Sequence, residues 1–167
     1  MRPNTKNLSL ISMLTAASLS VLVIEAQIPA PVPVPGVKLG LANVITLIAM
    51  LLLGRREAGL ILAVRIVMGS VFAGGVSAFL FSISGGVLAY AVMCITVTRF
   101  PRKMLWVVSA LAAVAHNLGQ LLAAIAVTKT AALMVYAPVL LASGIITGVF
   151  TGLVAMYLVR RLDKTRQ

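Results

Sequence analysis

Acidic residues are almost missing from this chain: Glu25, Glu57 and Asp163 are the only carboxylates, against 14 lysines and arginines in 167 residues. So few carboxylates leave no Asp-rich or paired cluster to hold Mg2+ and a diphosphate. One histidine, His116, and one cysteine, Cys94, provide no second His or Cys ligand for zinc and no intrachain disulfide. No P-loop occurs, which removes ATP hydrolysis by that route. No Ser, His and Asp set falls at one depth in the helices read below. An enzyme is therefore not expected, and neither a cofactor nor a metal is called for.

Apolar residues are what the chain has in excess. With 61% hydrophobic residues, 10% charged and a mean hydropathy of +1.11, it is read as an integral membrane protein. Charge, proline and glycine divide it into approximate spans 8–28, 39–53, 57–73, 76–98, 104–128 and 132–159, the length range of bilayer-crossing helices for all but the short second and third. Backbone groups in hydrocarbon must pair within their own segment, and no barrel-like alternation is visible, so all six should be helices. The expected fold is all-α, one transmembrane domain over residues 1–167.

The net charge of +11 would point to nucleic acid in a soluble protein, but its distribution here points to topology. With six spans, Arg2, Lys6, Arg55, Arg56, Arg99, Arg102, Lys103, Arg160, Arg161, Lys164 and Arg166 fall on one side, and only Lys38 and Lys129 on the other. The positive-inside rule then assigns both termini to the cytoplasm, in a multi-pass protein of a cytoplasmic membrane. A cleaved signal peptide is disfavoured, because the first apolar run is long and lacks an A-x-A site.

Residues 30–43 read APVPVPGVKLGLAN. Pro31, Pro33 and Pro35 each lack an N–H and fix φ, so the chain must leave the first helix extended before entering the second. Under the expected topology this hinge lies on the outer face. Ionisable groups within membrane helices are costly and call for a partner or a function. Glu25, Lys38, Asn43, Arg65, His116, Asn117 and Gln120 all fall in the outer half, and His116 and Gln120, four apart, share a helical face. These residues form a candidate binding site. The alternatives are that Asn117, Gln120 and His116 join helices by hydrogen bonds, that Glu25 and Arg65 form a structural ion pair, and that Lys38 snorkels to the interface. Two small-residue stripes complete the pattern. Gly144, Gly148 and Gly152 are read as a packing seam within the bundle, whereas Ser12, Ala16 and Ser20 could serve packing or the docking of another membrane subunit.

Three strings, PVPGVKLGLAN at 33–43, FSISGG at 81–86 and AHNLGQ at 115–120, together resemble the Gx transporter family, also called heptaprenyl diphosphate synthase component I. That family in turn is similar to the S components of energy-coupling factor (ECF) transporters, small six-helix proteins that capture a micronutrient from outside. The resemblance implies a prokaryotic membrane, a small-molecule substrate, and a partner module of one coupling subunit and two ATPases. It also implies that Ser12, Ala16 and Ser20 dock that module and that the hinge closes over the ligand. Isoprenoid or quinone precursors are one substrate class suggested by the family name. The alternatives are a non-catalytic membrane partner of a prenyl diphosphate synthase and a stand-alone small carrier.

Overall fold

The computed structural model describes residues 5–28, 38–73 and 75–165, so the proline hinge at 30–37 lies outside the described residues. Every described regular element is helical: α1 (Thr5–Glu25), α2 (Asn43–Leu52), α3 (Arg55–Ala73), α4 (Val76–Thr96), α5 (Leu105–Thr128) and α6 (Ala137–Thr165), with short 3-10 turns at Arg102–Met104 and Ala131–Tyr136. Four stretches, Asn7–Glu25, Val76–Thr96, Arg102–Thr128 and Ala131–Leu162, are long and apolar enough to cross a membrane. The α3 helix carries Arg55, Arg56, Glu57 and Arg65. The α2 helix, of 10 residues, is about 15 Å long, half the hydrocarbon thickness of a bilayer.

The short α2 is the hub of the bundle, touching α1, α3, α4, α5 and α6. It is buried nearly all round, from Asn43 and Val44 through Thr46–Met50, and this explains an apolar run with no solvent-facing stripe. The α1 helix is the opposite case. Among its described side chains only Leu14, Ser18 and Glu25 turn fully inward, while Leu8, Met13, Val23 and Ile24 are exposed, as suits a helix whose outer face meets lipid.

The apolar core has two parts. One joins Leu47, Ile48 and Ala49 of α2 with Ile61, Met93, Val108, Ala112, Ala155 and Val159. The other, toward the opposite end of the helices, joins Phe81, Leu121, Ala124 and Leu140. On α5, His116, Asn117 and Gln120 stand between residues of the first cluster, Val108 and Ala112, and residues of the second, Leu121 and Ala124. These three polar residues of α5 therefore stand between two apolar clusters.

Small residues set the tightest helix contact. A Cβ on Gly148 would lie 2.5 Å from Ala110 Cα, and one on Gly152 would lie 2.4 Å from Trp106 Cα, so the α6 glycine stripe is pressed against the α5 backbone. Ser109 and Thr151 add a buried hydroxyl pair at 3.0 Å across the same seam. The seam read from the sequence is thus within the bundle. Gly148→Val is expected to destabilise the protein by roughly 1–3 kcal/mol through overpacking, read as a lowered midpoint of thermal unfolding followed by circular dichroism. The other stripe, Ser12, Ala16 and Ser20, is exposed, and Ser12 and Ser20 satisfy their hydroxyls on the carbonyls of Leu8 and Ala16.

Candidate binding site

The entry into α2 is built before any ligand is considered. Gly40 adopts φ +78°, a conformation that side chains other than glycine rarely take, and this turns the chain into the helix. The N–H groups of Asn43, Val44 and Ile45, the start of the helix, bond to the carbonyls of Gly40, Leu41 and Ala42. The carboxylate of Glu25, at the end of α1, accepts from the turn just before the helix: Oε1 takes the Gly40 N–H, and Oε2 takes the Ala42 N–H at 3.4 Å. Glu25 thus ties the end of α1 to the start of α2. Its negative charge also suits the positive end of the helix dipole.

Arg65, at the middle of α3, is buried and donates from Nη2 to Asn43 Oδ1 at 2.8 Å. Among the described residues it makes no ion-pair contact with Glu25, so the two charges are near enough to act on each other electrostatically without touching. Gln120 reaches back from α5 and accepts the Lys38 N–H at 3.0 Å. The half-buried Lys38 amine is held below the usual lysine range, chiefly by desolvation; Glu25 opposes that shift and Arg65 adds to it.

The three sequence strings meet at His116. A Cβ on Gly40 would come within 2.8 Å of His116 Cδ2, and one on Gly85 within 2.9 Å of His116 Nδ1 and Cε1 and of Gln120 Cγ. Gly119 faces Ser84 so closely that a Cβ there would stand 2.7 Å from the Ser84 carbonyl oxygen, and Ser84 Oγ donates to the Gly119 carbonyl at 2.9 Å. The glycines of the second and third strings therefore let α4 and α5 meet backbone to backbone, and the space left is filled by the imidazole.

Six of the seven candidate residues, Glu25, Lys38, Asn43, Arg65, His116 and Gln120, line one cavity of about 20 Å3 together with Leu22, Gly40, Ala42, Ile66 and Ser82. Asn117 does not line it. Its Nδ2 donates to Leu140 O at 2.7 Å and lies 3.4 Å from Ser143 Oγ, so the side chain joins α5 to α6. The cavity is large enough for about one water-sized group. Around it, Arg65 Nη1, Asn43 Nδ2 and His116 Nδ1 are buried with no hydrogen-bond partner in the protein. Buried polar atoms are almost always paired. Ser18 Oγ, Thr46 Oγ1 and Asn117 Oδ1 are likewise unpaired away from the cavity, so what sets the three nitrogens apart is that their residues line one space. Two of the three are obligate donors, and the site therefore favours an acceptor oxygen.

Sequence reasoning missed Ser82 and the apolar wall of Leu22 and Ile66, and it missed Gly40 and Gly85 as the positions that make room for His116. The glycines and Ser82 stood inside the quoted strings; Leu22 and Ile66 carry no signal that separates them from other apolar residues of α1 and α3. Among the described residues no group of three His, Cys, Asp or Glu side chains is placed to hold a metal.

No curated protein and no solved structure matches the chain. A family model does, over residues 14–158, which takes in every lining residue of the cavity and all three strings but begins beyond Ser12. On that match, the chain belongs to the family described as heptaprenyl diphosphate synthase component I.

Proposed function

We propose that this protein is the substrate-capturing subunit of an ECF-type importer in a prokaryotic cytoplasmic membrane, with six membrane segments, both termini inside, and the cavity reached from the outer face. The observation that carries the reading is the incompletely paired polar cluster: Arg65, Asn43 and His116 are buried, line one small space, and each has a nitrogen with no hydrogen-bond partner in the protein. Such groups are expensive in a membrane bundle and are accounted for by a ligand that completes them. Lys38, Gln120 and Glu25 complete the proposed wall, and Asn117 acts as a hydrogen bond between helices. The chain has no motif for ATP hydrolysis, so the work of import falls to a partner module of a coupling subunit and two ATPases. Its docking surface is proposed to be the exposed α1 face with Ser12, Ala16 and Ser20, whose short side chains would let another helix approach closely.

Affinity purification of the tagged protein from its native membranes tests this. A transmembrane subunit and ATPases are expected to co-purify with the wild type and to be lost with Ala16→Leu, while that variant keeps the unfolding midpoint of the parent. Recovery of a soluble prenyltransferase without them would instead support a second reading, favoured by the family description, in which the chain is the membrane partner of a prenyl diphosphate synthase. A companion pair separates ligand contacts from helix contacts. Asn117→Ala is expected to cost about 1–2 kcal/mol of stability through the lost bond to Leu140 without changing ligand binding. Gln120→Ala, by freeing the Lys38 N–H at the cavity wall, is expected to weaken binding.

A further inference from the structure

Next to the polar cavity is a second space of about 290 Å3, between the end of α1 and the end of α3. Leu22 and Lys38 line both, so the two share a wall. Their chemistry is opposite. The small cavity is lined by Arg65, Asn43 and His116, each with an unpaired buried nitrogen, whereas the larger one is lined mostly by Leu19, Leu22, Val23, Ala26, Gly69 and Phe72, with Gln27 and Lys38 as its polar members. A Cβ on Gly69 would come within 2.4 Å of Leu22 Cδ2, so the missing side chain of Gly69 is what lets Leu22 sit where it does between the two spaces.

We infer that the ligand is an anionic amphiphile: a carboxylate or phosphate head places one oxygen in the cavity lined by Arg65, Asn43 and His116, and an apolar tail lies in the α1–α3 cleft, with Lys38 at the junction. The sizes set this division. A space for one water-sized group accepts a single head-group oxygen but no ring or chain, while about 290 Å3 is near the lower end of ordinary small-molecule pockets. Positive charge is arranged to match. Arg65 stands behind the head, and Lys38 stands where the second oxygen of a carboxylate, or another phosphate oxygen, would emerge. The Glu25 carboxylate also lines the cavity but is held by the N–H groups of Gly40 and Ala42, and the two positive charges of Arg65 and Lys38 outweigh its repulsion of the head. This inference rests on the ligand-binding reading of the polar cluster and adds the tail to it.

The test is a chain-length series measured on the full protein in lipid nanodiscs, with acetate, butyrate, hexanoate and octanoate, the matching alkyl phosphates, inorganic phosphate, and neutral octanol. Binding is read as a concentration-dependent rise in the unfolding midpoint. Affinity is expected to grow with chain length, by roughly tenfold for each two methylenes buried. Octanol is expected to give no saturable shift. Which of the two anion series binds more tightly identifies the head. Ala26→Leu, at a position that lines the cleft and not the polar cavity, is expected to flatten the chain-length dependence, read as the ratio of octanoate to acetate affinity; Val23→Phe, also on the cleft alone, provides the same comparison if the leucine variant does not fold. Arg65→Lys is expected to weaken every anion in parallel. If short and long anions bind alike in an Arg65-dependent manner, or Ala26→Leu leaves the series unchanged, the tail assignment is wrong and the polar site stands. If no anion shifts the wild type, the ligand-binding reading falls together with the inference.

Discussion

Replacing Arg65 by methionine is expected to lower the stability of the ligand-free protein by about 1–3 kcal/mol, the usual effect of leaving a buried acceptor, here Asn43 Oδ1, without its donor. Two losses combine, and one gain opposes them. Asn43 Oδ1 loses its donor and the buried Glu25 carboxylate loses the nearby positive charge, whereas removal of the unpaired Nη1 relieves a buried orphan donor. Glu25→Gln alone is expected to cost less, because a neutral amide oxygen still accepts one N–H from the α2 entry. The double variant is the informative one. If the two charges stabilise each other across the gap between them, Arg65→Met with Glu25→Gln should be less damaging than the sum of the single effects, by about 1 kcal/mol or more. Strict additivity in a thermal-unfolding cycle would show that each residue acts only through its own hydrogen bonds.

Gly119→Val is expected to be nearly as severe for a different reason. The atoms facing Gly119 are the Ser84 carbonyl oxygen at 2.7 Å and Gly85 Cα at 2.9 Å from an added Cβ, and backbone of two packed helices cannot rotate away as a side chain does. Separation of α4 from α5 would also break the Ser84–Gly119 hydrogen bond and unseat His116 from Gly85. Overpacking of this kind costs about 1–3 kcal/mol in a core that can relax, and this contact is at the unfavourable end. Gly59→Ala is the control. It faces only the side-chain end of Tyr90, with the hydroxyl oxygen at 3.1 Å, and the gain of about 1 kcal/mol in helix propensity should leave it neutral or slightly stabilised. A similar loss in both variants, measured by the same unfolding assay, would mean that the α4–α5 contact is looser than described.

Helix existence was legible from hydrophobic runs and their breaks, because the run length that crosses a bilayer is set by the bilayer itself. The start of α2 was not. An apolar run from residue 39 gives no sign that Gly40 turns the chain at φ +78° or that Glu25, fifteen residues earlier, satisfies the N–H groups there, so the helix proper begins at Asn43. The polar cluster was legible because arginine, histidine and asparagine in apolar helices must be accounted for wherever they fall. Which way each one faces was legible only in part. The four-residue spacing of His116 and Gln120 does put both at the cavity, but Asn117 is a single step of about 100° around the helix from His116 and reaches α6 instead. The choice between an ion pair and separate roles for Glu25 and Arg65 depended on backbone N–H groups that only the folded turn brings together. Least legible were the glycines, whose contribution is room for a neighbour: Gly40 and Gly85 for His116, Gly69 for Leu22. The hinge at 30–37, expected to cover the site, lies outside the described residues, and its role as a lid is a proposal tested by replacing Pro31, Pro33 and Pro35 with alanine. Greater freedom in the unliganded hinge is expected to weaken ligand binding with little effect on the unfolding midpoint.

The most direct test of the central claim, that the Arg65, Asn43 and His116 cluster is a ligand site, is native mass spectrometry of the protein released from its own membranes under non-denaturing conditions. The wild type is expected to carry a bound small anion at a one-to-one ratio, and Arg65→Lys, which keeps the charge but loses the planar donor fork, is expected to carry markedly less of the same mass. A wild-type protein with no bound small molecule, or equal occupancy in the two, would contradict the account.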